Sequence, residues 1–165
     1  MDQSSSFEEQ LTALLPRLRR FAHALSRNSA DADDLTQATI ERALRSRDQW
    51  RPGTRLDSWA YRIMRNLWID LARSRSRKSV HEAPEEEGLS VGEDPREAMD
   101  ASVDLKRVMA AMSRLPDEQR EVLALILVEG FGYREVSEML GLPMGTVSSR
   151  LVRGRTALLA MVGEA

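Results

Sequence analysis

The residues best placed to do chemistry lie between Phe131 and Arg155, FGYREVSEMLGLPMGTVSSRLVRGR, where two short helical patterns meet at a Gly-Leu-Pro corner and the second carries arginines. At about 100° per residue, Val147, Leu151, Gly154 and Leu158 gather on one side of that second helix. Thr146, Ser149, Val152, Arg153 and Thr156 point the other way, with Arg150 and Arg155 at the flanks. A helix that enters a major groove needs an inner side that packs, small residues that permit close approach, and cations able to reach phosphates and guanine edges. A second constellation lies upstream, where Arg55, Trp59, Arg62, Asn66, Arg73 and Arg77 share one flank of a helix. Cations suit phosphates, an indole suits base stacking and an amide suits a base edge, so this flank fits a nucleic-acid strand. Each pattern has a plainer counterpart: an amphipathic hairpin with a solvated basic face, and a core tryptophan beside solvated arginines. The remainder of the chain has to decide between them.

Other chemistries find little support. The sequence has no glycine-rich phosphate loop, no nucleophile paired with a base and no clustered metal ligands, so no catalytic residue, metal or cofactor is assigned. It has no cysteine, which excludes disulfides and thiolate metal sites and fits a reducing cytoplasm. His23 and His81 are far apart and read as ordinary histidines. MDQSSSFEEQ lacks a basic and then apolar leader, and no run approaches the roughly 20 apolar residues of a membrane helix, so neither export nor a membrane span is expected.

The net charge of −2 conceals a strong segregation. Residues 41–78 hold eleven Arg/Lys against four Asp/Glu, whereas residues 80–104 hold nine Asp/Glu against the single Arg96. That asymmetry suggests a basic working surface and an acidic tether. The stretch SVHEAPEEEGLSVGEDP, residues 79–95, is too poor in large apolar groups to offset its own ordering entropy. The expected organisation is therefore a first domain over 1–78, a flexible acidic linker over 79–100 and a second domain over 101–165. Two small domains so tethered need not hold a fixed relation, and the free chain is expected to be extended, becoming compact on a partner.

Helices must position the candidate residues. Ser6 and Glu9 form a capping-box pattern ahead of the stripe Phe7, Leu11, Leu14, Leu18, Phe21 and Leu25, in which Pro16 should kink or split the helix. Ser29 can cap a second helix running to about Arg45, with Asp31, Asp33 and Asp34 in its first turns, and a turn follows at Arg51-Pro52-Gly53. A third helix is expected from about Leu56 to Arg77 with Leu56, Ala60, Ile63, Leu67 and Leu71 buried. The second domain reads as four helices: one ending near Pro116, one from there through Val122 to Val128, and the two of a helix-turn-helix. No stretch alternates as a strand does, so the fold class is all-α.

Laid in order, these segments resemble bacterial RNA polymerase sigma factors of the extracytoplasmic-function group. DADDLTQATIERALRS resembles the helix that binds core polymerase, WRPGTRLDSWAYRIMRNLWIDLARSRSRK the promoter-opening segment, and LPDEQREVLALILVEGFGYREVSEMLGLPMGTVSSRLVRGR the part that reads the upstream element. The resemblance implies core-polymerase contacts for Asp34, Leu35 and Gln37. It implies minus-ten contacts for Trp50, Arg51, Trp59, Arg62, Asn66 and Arg73, with one flipped base captured between Trp50 and Ser58. For the minus-thirty-five element it implies Thr146, Ser148, Ser149, Arg150 and Arg153. Core RNA polymerase, promoter DNA and an anti-sigma factor are the implied partners, and the cytoplasm the implied location. Two residues depart from the family pattern: Ser148 stands where many relatives carry a cation, and Pro52 stiffens the base-capture loop. Two other functions remain: a sigma-like decoy that sequesters an anti-sigma factor, which predicts eroded DNA-facing positions, and a simple helix-turn-helix repressor, which leaves the first domain unexplained.

Overall fold

The computed structural model describes residues 6–79 and 99–163, with side chains over 6–74 and 104–163. The expected linker, apart from residues 79, 99 and 100, and the side chain of Arg77 lie outside these. Every regular element among the described residues is helical.

Helix α1 (Phe7–Leu25) starts on Ser6, whose hydroxyl accepts from the Glu9 amide while the Glu9 carboxylate accepts from the Ser6 amide, closing the expected capping box. Pro16 does not split it. The proline is exposed, where water can satisfy the carbonyl it frees, while Leu11 before it and Leu18, Phe21 and Leu25 after it are buried and keep both turns on the same core. Helix α2 (Ser29–Arg45) is capped by Asn28, whose side chain accepts from the Asp31 amide at 2.8 Å, so the cap lies one residue earlier than Ser29. A short 3₁₀ turn (Arg47–Gln49) and a bend with Gly53 at φ 88° lead into α3 (Leu56–Ser79).

The buried stripe of α3 differs from the expected one. Leu56 and Ala60 are buried, but they are joined by Tyr61, Met64 and Trp68, whereas Ile63 and Leu67 are half-buried and Leu71 is 45% exposed. Periodicity alone favoured the aliphatic row. The helix is gripped from two directions, by α2 and α1 on one side and by the second half of the chain on another, which turns its aromatic and thioether row inward.

The second half contains α4 (Met99–Ser113), α5 (Asp117–Leu123), which continues as a π-helical turn over Ala124–Val128, then α6 (Tyr133–Leu140) and α7 (Met144–Gly163). Gly141 ends α6 with φ 66°, a left-handed conformation that costs other residues free energy. The Ser137 hydroxyl donates to the Leu142 carbonyl and fixes the corner. Gly154 has a different reason to be glycine. A Cβ there would lie 2.9 Å from Leu123 Cδ1 and 3.2 Å from Gln119 Cβ, so its bare backbone sets how closely α7 approaches α5.

One apolar core runs through both halves. Leu18, Phe21 and Leu25 of α1 and Tyr61 and Met64 of α3 belong to the same buried cluster as Leu123, Leu125 and Phe131. Helix α1 packs on α4, α5 and the π turn, and α3 packs on α6. The free chain was expected to be extended; instead its halves share a seam closed by contacts internal to the chain.

Candidate nucleic-acid and partner interfaces

On α7 the packing side is as expected, with Val147, Leu151 and Gly154 buried. Ser148 and Arg153 are exposed and Thr146 and Ser149 half-buried. Arg150 is turned away from the outer face, its guanidinium 3.9 Å from Glu118 of α5 and its side chain 24% exposed. It lines a groove between α3 and the second half together with Arg65, Arg73 and Glu121. The structure thus brings together two cations assigned to different DNA elements and leaves Arg153 as the outward arginine of the reading face.

On α2, Asp34 and Gln37 are both exposed and three residues apart, hence on one face. Leu35 is only 1% exposed and sits in the core, so it cannot touch a partner and instead anchors the helix that presents the other two.

The loop ahead of α3 is built on aromatic packing. Trp50 is half-buried with its ring centroid 5.7 Å from that of Phe7, and Trp59, also half-buried, lies 6.0 Å from the same ring at 73°. Trp59 therefore serves partly as packing and is not a free stacking platform. The Trp50 indole nitrogen is buried with no hydrogen-bond partner. Arg51, Asn66 and Arg73 are exposed. Asp57, the first-turn acid of α3, would be raised by burial, but hydrogen bonds from Arg55, the Ser58 amide and Arg17 outweigh that and hold its carboxyl below the usual carboxylate range.

Arg55 and Arg62 on the α3 flank face the second half. Arg55 is 3.0 Å from the Glu135 carboxylate, and Arg62 donates to the Glu138 carbonyl at 3.4 Å. Behind them lies a polar node for which the sequence carried no signal. The Glu129 side chain has 0% exposure and receives two hydrogen bonds from Arg20, at 3.0 and 2.8 Å, and one from the Tyr61 hydroxyl at 2.7 Å, with Arg17 3.8 Å away. Burial, reinforced by that bond to Glu129, raises the Tyr61 pKa well above its ordinary value, so the phenol remains a donor. The π turn places this carboxylate: the Glu129 amide bonds back to the Ala124 carbonyl at 3.0 Å, and Gly130 at φ 76° then aims Phe131 at Tyr61, ring centroids 5.3 Å apart. A second pair, Arg65 to Glu121 at 2.8 Å, crosses the same seam, and burial pushes the Glu121 carboxyl above its ordinary pKa against the pull of Arg65.

No helix among the described residues is long and apolar enough to cross a membrane, and no group of three or more potential metal ligands occurs among them.

Comparison with known proteins gives a consistent result. Residues 11–78 match Sigma-70 region 2, and residues 105–158 match Sigma-70 region 4. The chain is 35% identical over 162 residues to the ECF RNA polymerase sigma factor EcfG of Rhodopseudomonas palustris, covering 98% of this chain and 88% of that one. It is 37% identical over 156 residues to SigE of Mycolicibacterium smegmatis, covering 93% of this chain and 60% of that one. Among solved structures, the sigma factor RpoE of Bartonella quintana, in complex with the anti-sigma factor NepR, superposes with a TM-score of 0.83 at 30% identity, over 96% of this chain and 97% of that one.

Proposed function

This chain belongs to the ECF RNA polymerase sigma factors, and from that premise we propose how its surfaces divide the work of promoter-specific initiation. The first domain (1–78) binds core polymerase through Asp34 and Gln37 of α2. It engages the minus-ten element through the Trp50 to Ser58 loop and the α3 residues Arg62, Asn66 and Arg73. The second domain (101–165) reads the upstream element with Thr146, Ser148, Ser149 and Arg153 on α7, without Arg150, which lies near Glu118 off that face, and 79–100 tethers the two. The factor is non-catalytic and works in the cytoplasm. An anti-sigma factor controls it, a reading supported by the solved RpoE–NepR complex, whose sigma chain shares this fold and 30% identity.

The observation that carries this division is that Asp34 and Gln37 on α2, Asn66 and Arg73 on α3, and Ser148 and Arg153 on α7 are all exposed while their helices share one core. An acidic face suits a protein partner, whereas the arginine-bearing faces suit nucleic acid. Transcription in vitro with core polymerase on a promoter library tests the whole. Selective initiation from a two-element promoter is the expected result, and no enrichment over core polymerase alone overturns it.

Arg153 should make the strongest outward contact. Arg153→Ala is expected to weaken upstream-element recognition by about 1–3 kcal/mol if the contact is bidentate to a base. A uniform loss across sequences with a flatter salt dependence would assign it to phosphate instead. Unchanged initiation would remove it from the interface.

Asn66 is assigned to a base that has left the stack. Asn66→Ala is expected to reduce permanganate reactivity of unpaired minus-ten thymines more than it reduces binding to duplex promoter, because the contact exists only after unstacking. Equal loss in both assays would make Asn66 a reader of double-stranded DNA.

A further inference from the structure

The outward face of α7 carries a branched apolar side chain that the assigned contacts do not use. Val152 is 60% exposed, although it stands near the middle of a 20-residue helix whose other side supplies the core. Its neighbours on that face are small and polar or cationic. Ser148 and Ser149 lie one turn before it, Arg153 beside it and Thr156 one turn after it, and of these Ser148, Arg153 and Thr156 are exposed and Ser149 half-buried. A valine there gains the fold little: it buries little apolar surface, and its branched Cβ makes it a poorer helix former than alanine or a long polar residue.

We propose that Val152 is a specificity-determining residue that packs against the C5-methyl group of a thymine in the upstream element. The inference rests on the reading of α7 as the recognition helix and deepens it by naming a base. Side chains on a helix lean toward its N-terminus, so the valine methyls overhang the turn that holds Ser148 and Ser149, and both serines are too short to cover them. In the major groove thymine alone presents a methyl group, and apolar contact with it separates T·A from the other pairs. A β-branched side chain in a helix is already held in one rotamer, so ordering it against a base costs little further freedom. The hydroxyls and the guanidinium around Val152 suit base edges and phosphates, whereas the centre of a protein interface is depleted of charge.

The test uses holoenzyme at a subsaturating concentration and a promoter recovered by selective initiation from a library. Each thymine of its upstream element, on either strand, is replaced singly by uracil, which pairs identically and lacks only the methyl group. With the unmodified factor, one of these uracils should lower initiation by about threefold to fivefold, the worth of one methyl group removed from an apolar contact. Val152→Ala should lower initiation from the thymine promoter by a similar factor and make that uracil silent, so that the two losses do not add. Alanine is a good helix former and the position is exposed, so the thermal melt of the variant should match that of the parent.

An upstream element selected without a thymine on either strand overturns the inference. So do uracils that are all silent with the unmodified factor, and a uracil whose effect persists undiminished in Val152→Ala. A loss in Val152→Ala that is equal on thymine and uracil templates also overturns it, and assigns the valine to a protein partner or to the fold, which the melt tells apart. The reading of α7 is decided separately by Arg153→Ala. Weakened upstream-element recognition in that variant, beside silent uracils, would keep α7 as the recognition helix and remove only Val152 from the base contacts.

Discussion

Replacing Arg120 by methionine is expected to lower the stability of the whole chain by about 3–5 kcal/mol, the range for breaking a buried charged network from one side. Arg120 is 1% exposed. Its guanidinium donates to the carbonyls of Met112 at 2.9 Å, Leu115 at 2.7 Å and Ser113 at 3.3 Å, and across the seam to Leu25 at 2.7 Å. Burial pulls its pKa below the ordinary arginine value, opposed by Asp117 at 3.3 Å, and an arginine so placed remains charged. Methionine fills similar space but leaves those carbonyls without donors, each at a cost of about 1–3 kcal/mol unless water reaches it. Urea unfolding of the full chain provides the measurement. Lysine should rescue little, because one ammonium cannot reproduce a fork that serves the ends of two helices, α1 and α4. An unfolding free energy within about 1 kcal/mol of the parent would show that water replaces the fork and that the network is dispensable.

The double variant Asp34→Ala with Gln37→Ala is expected to weaken holoenzyme assembly by about tenfold to a hundredfold, as for residues at the centre of a protein interface. Both side chains are exposed, on a helix that packs through its opposite face onto α1 and α3, so the melting temperature should remain near that of the parent. The readout is competition for core polymerase with the unmodified chain, beside a thermal melt. Normal assembly would remove the α2 face from the polymerase contact. A fall in stability matching the fall in assembly would point to a structural role. Leu35→Ala offers the contrast: Leu35 is buried, so its loss should act through the fold, at about 2–5 kcal/mol.

Much of the fold was legible because it is written in local patterns. The capping box at Ser6, the left-handed stop at Gly141 and the Val147, Leu151, Gly154 row each rest on residues within a few positions of one another, and all are present. Misreadings arose where local rules met tertiary packing. Of the kink or split expected at Pro16, the split is absent, because a buried stripe on either side outweighed one exposed break. The α3 stripe was misplaced because Tyr61 and Trp68 are amphipathic residues that either a core or a surface can take, and only the presence of a second packing partner selects the core. Leu35 was assigned to an interface by the company it keeps in the sequence, although its side chain points the other way from Asp34 and Gln37.

By itself the sequence determined an all-helical protein with a basic first half, an outward arginine on a glycine-cornered recognition helix and a family resemblance in the order of its segments. Those properties depend on periodicity, capping chemistry and charge count, which operate over one or two turns of chain. Which charges meet was settled only by the tertiary structure. Arg20 and Glu129 are 109 positions apart, and Arg120 reaches the Leu25 carbonyl across 95. No periodic rule relates residues at such separations, and in the sequence each reads as a solvated surface charge. Burial against a shared core removes the competing water and turns Glu129, Glu121 and Arg120 into the groups that hold the two halves together.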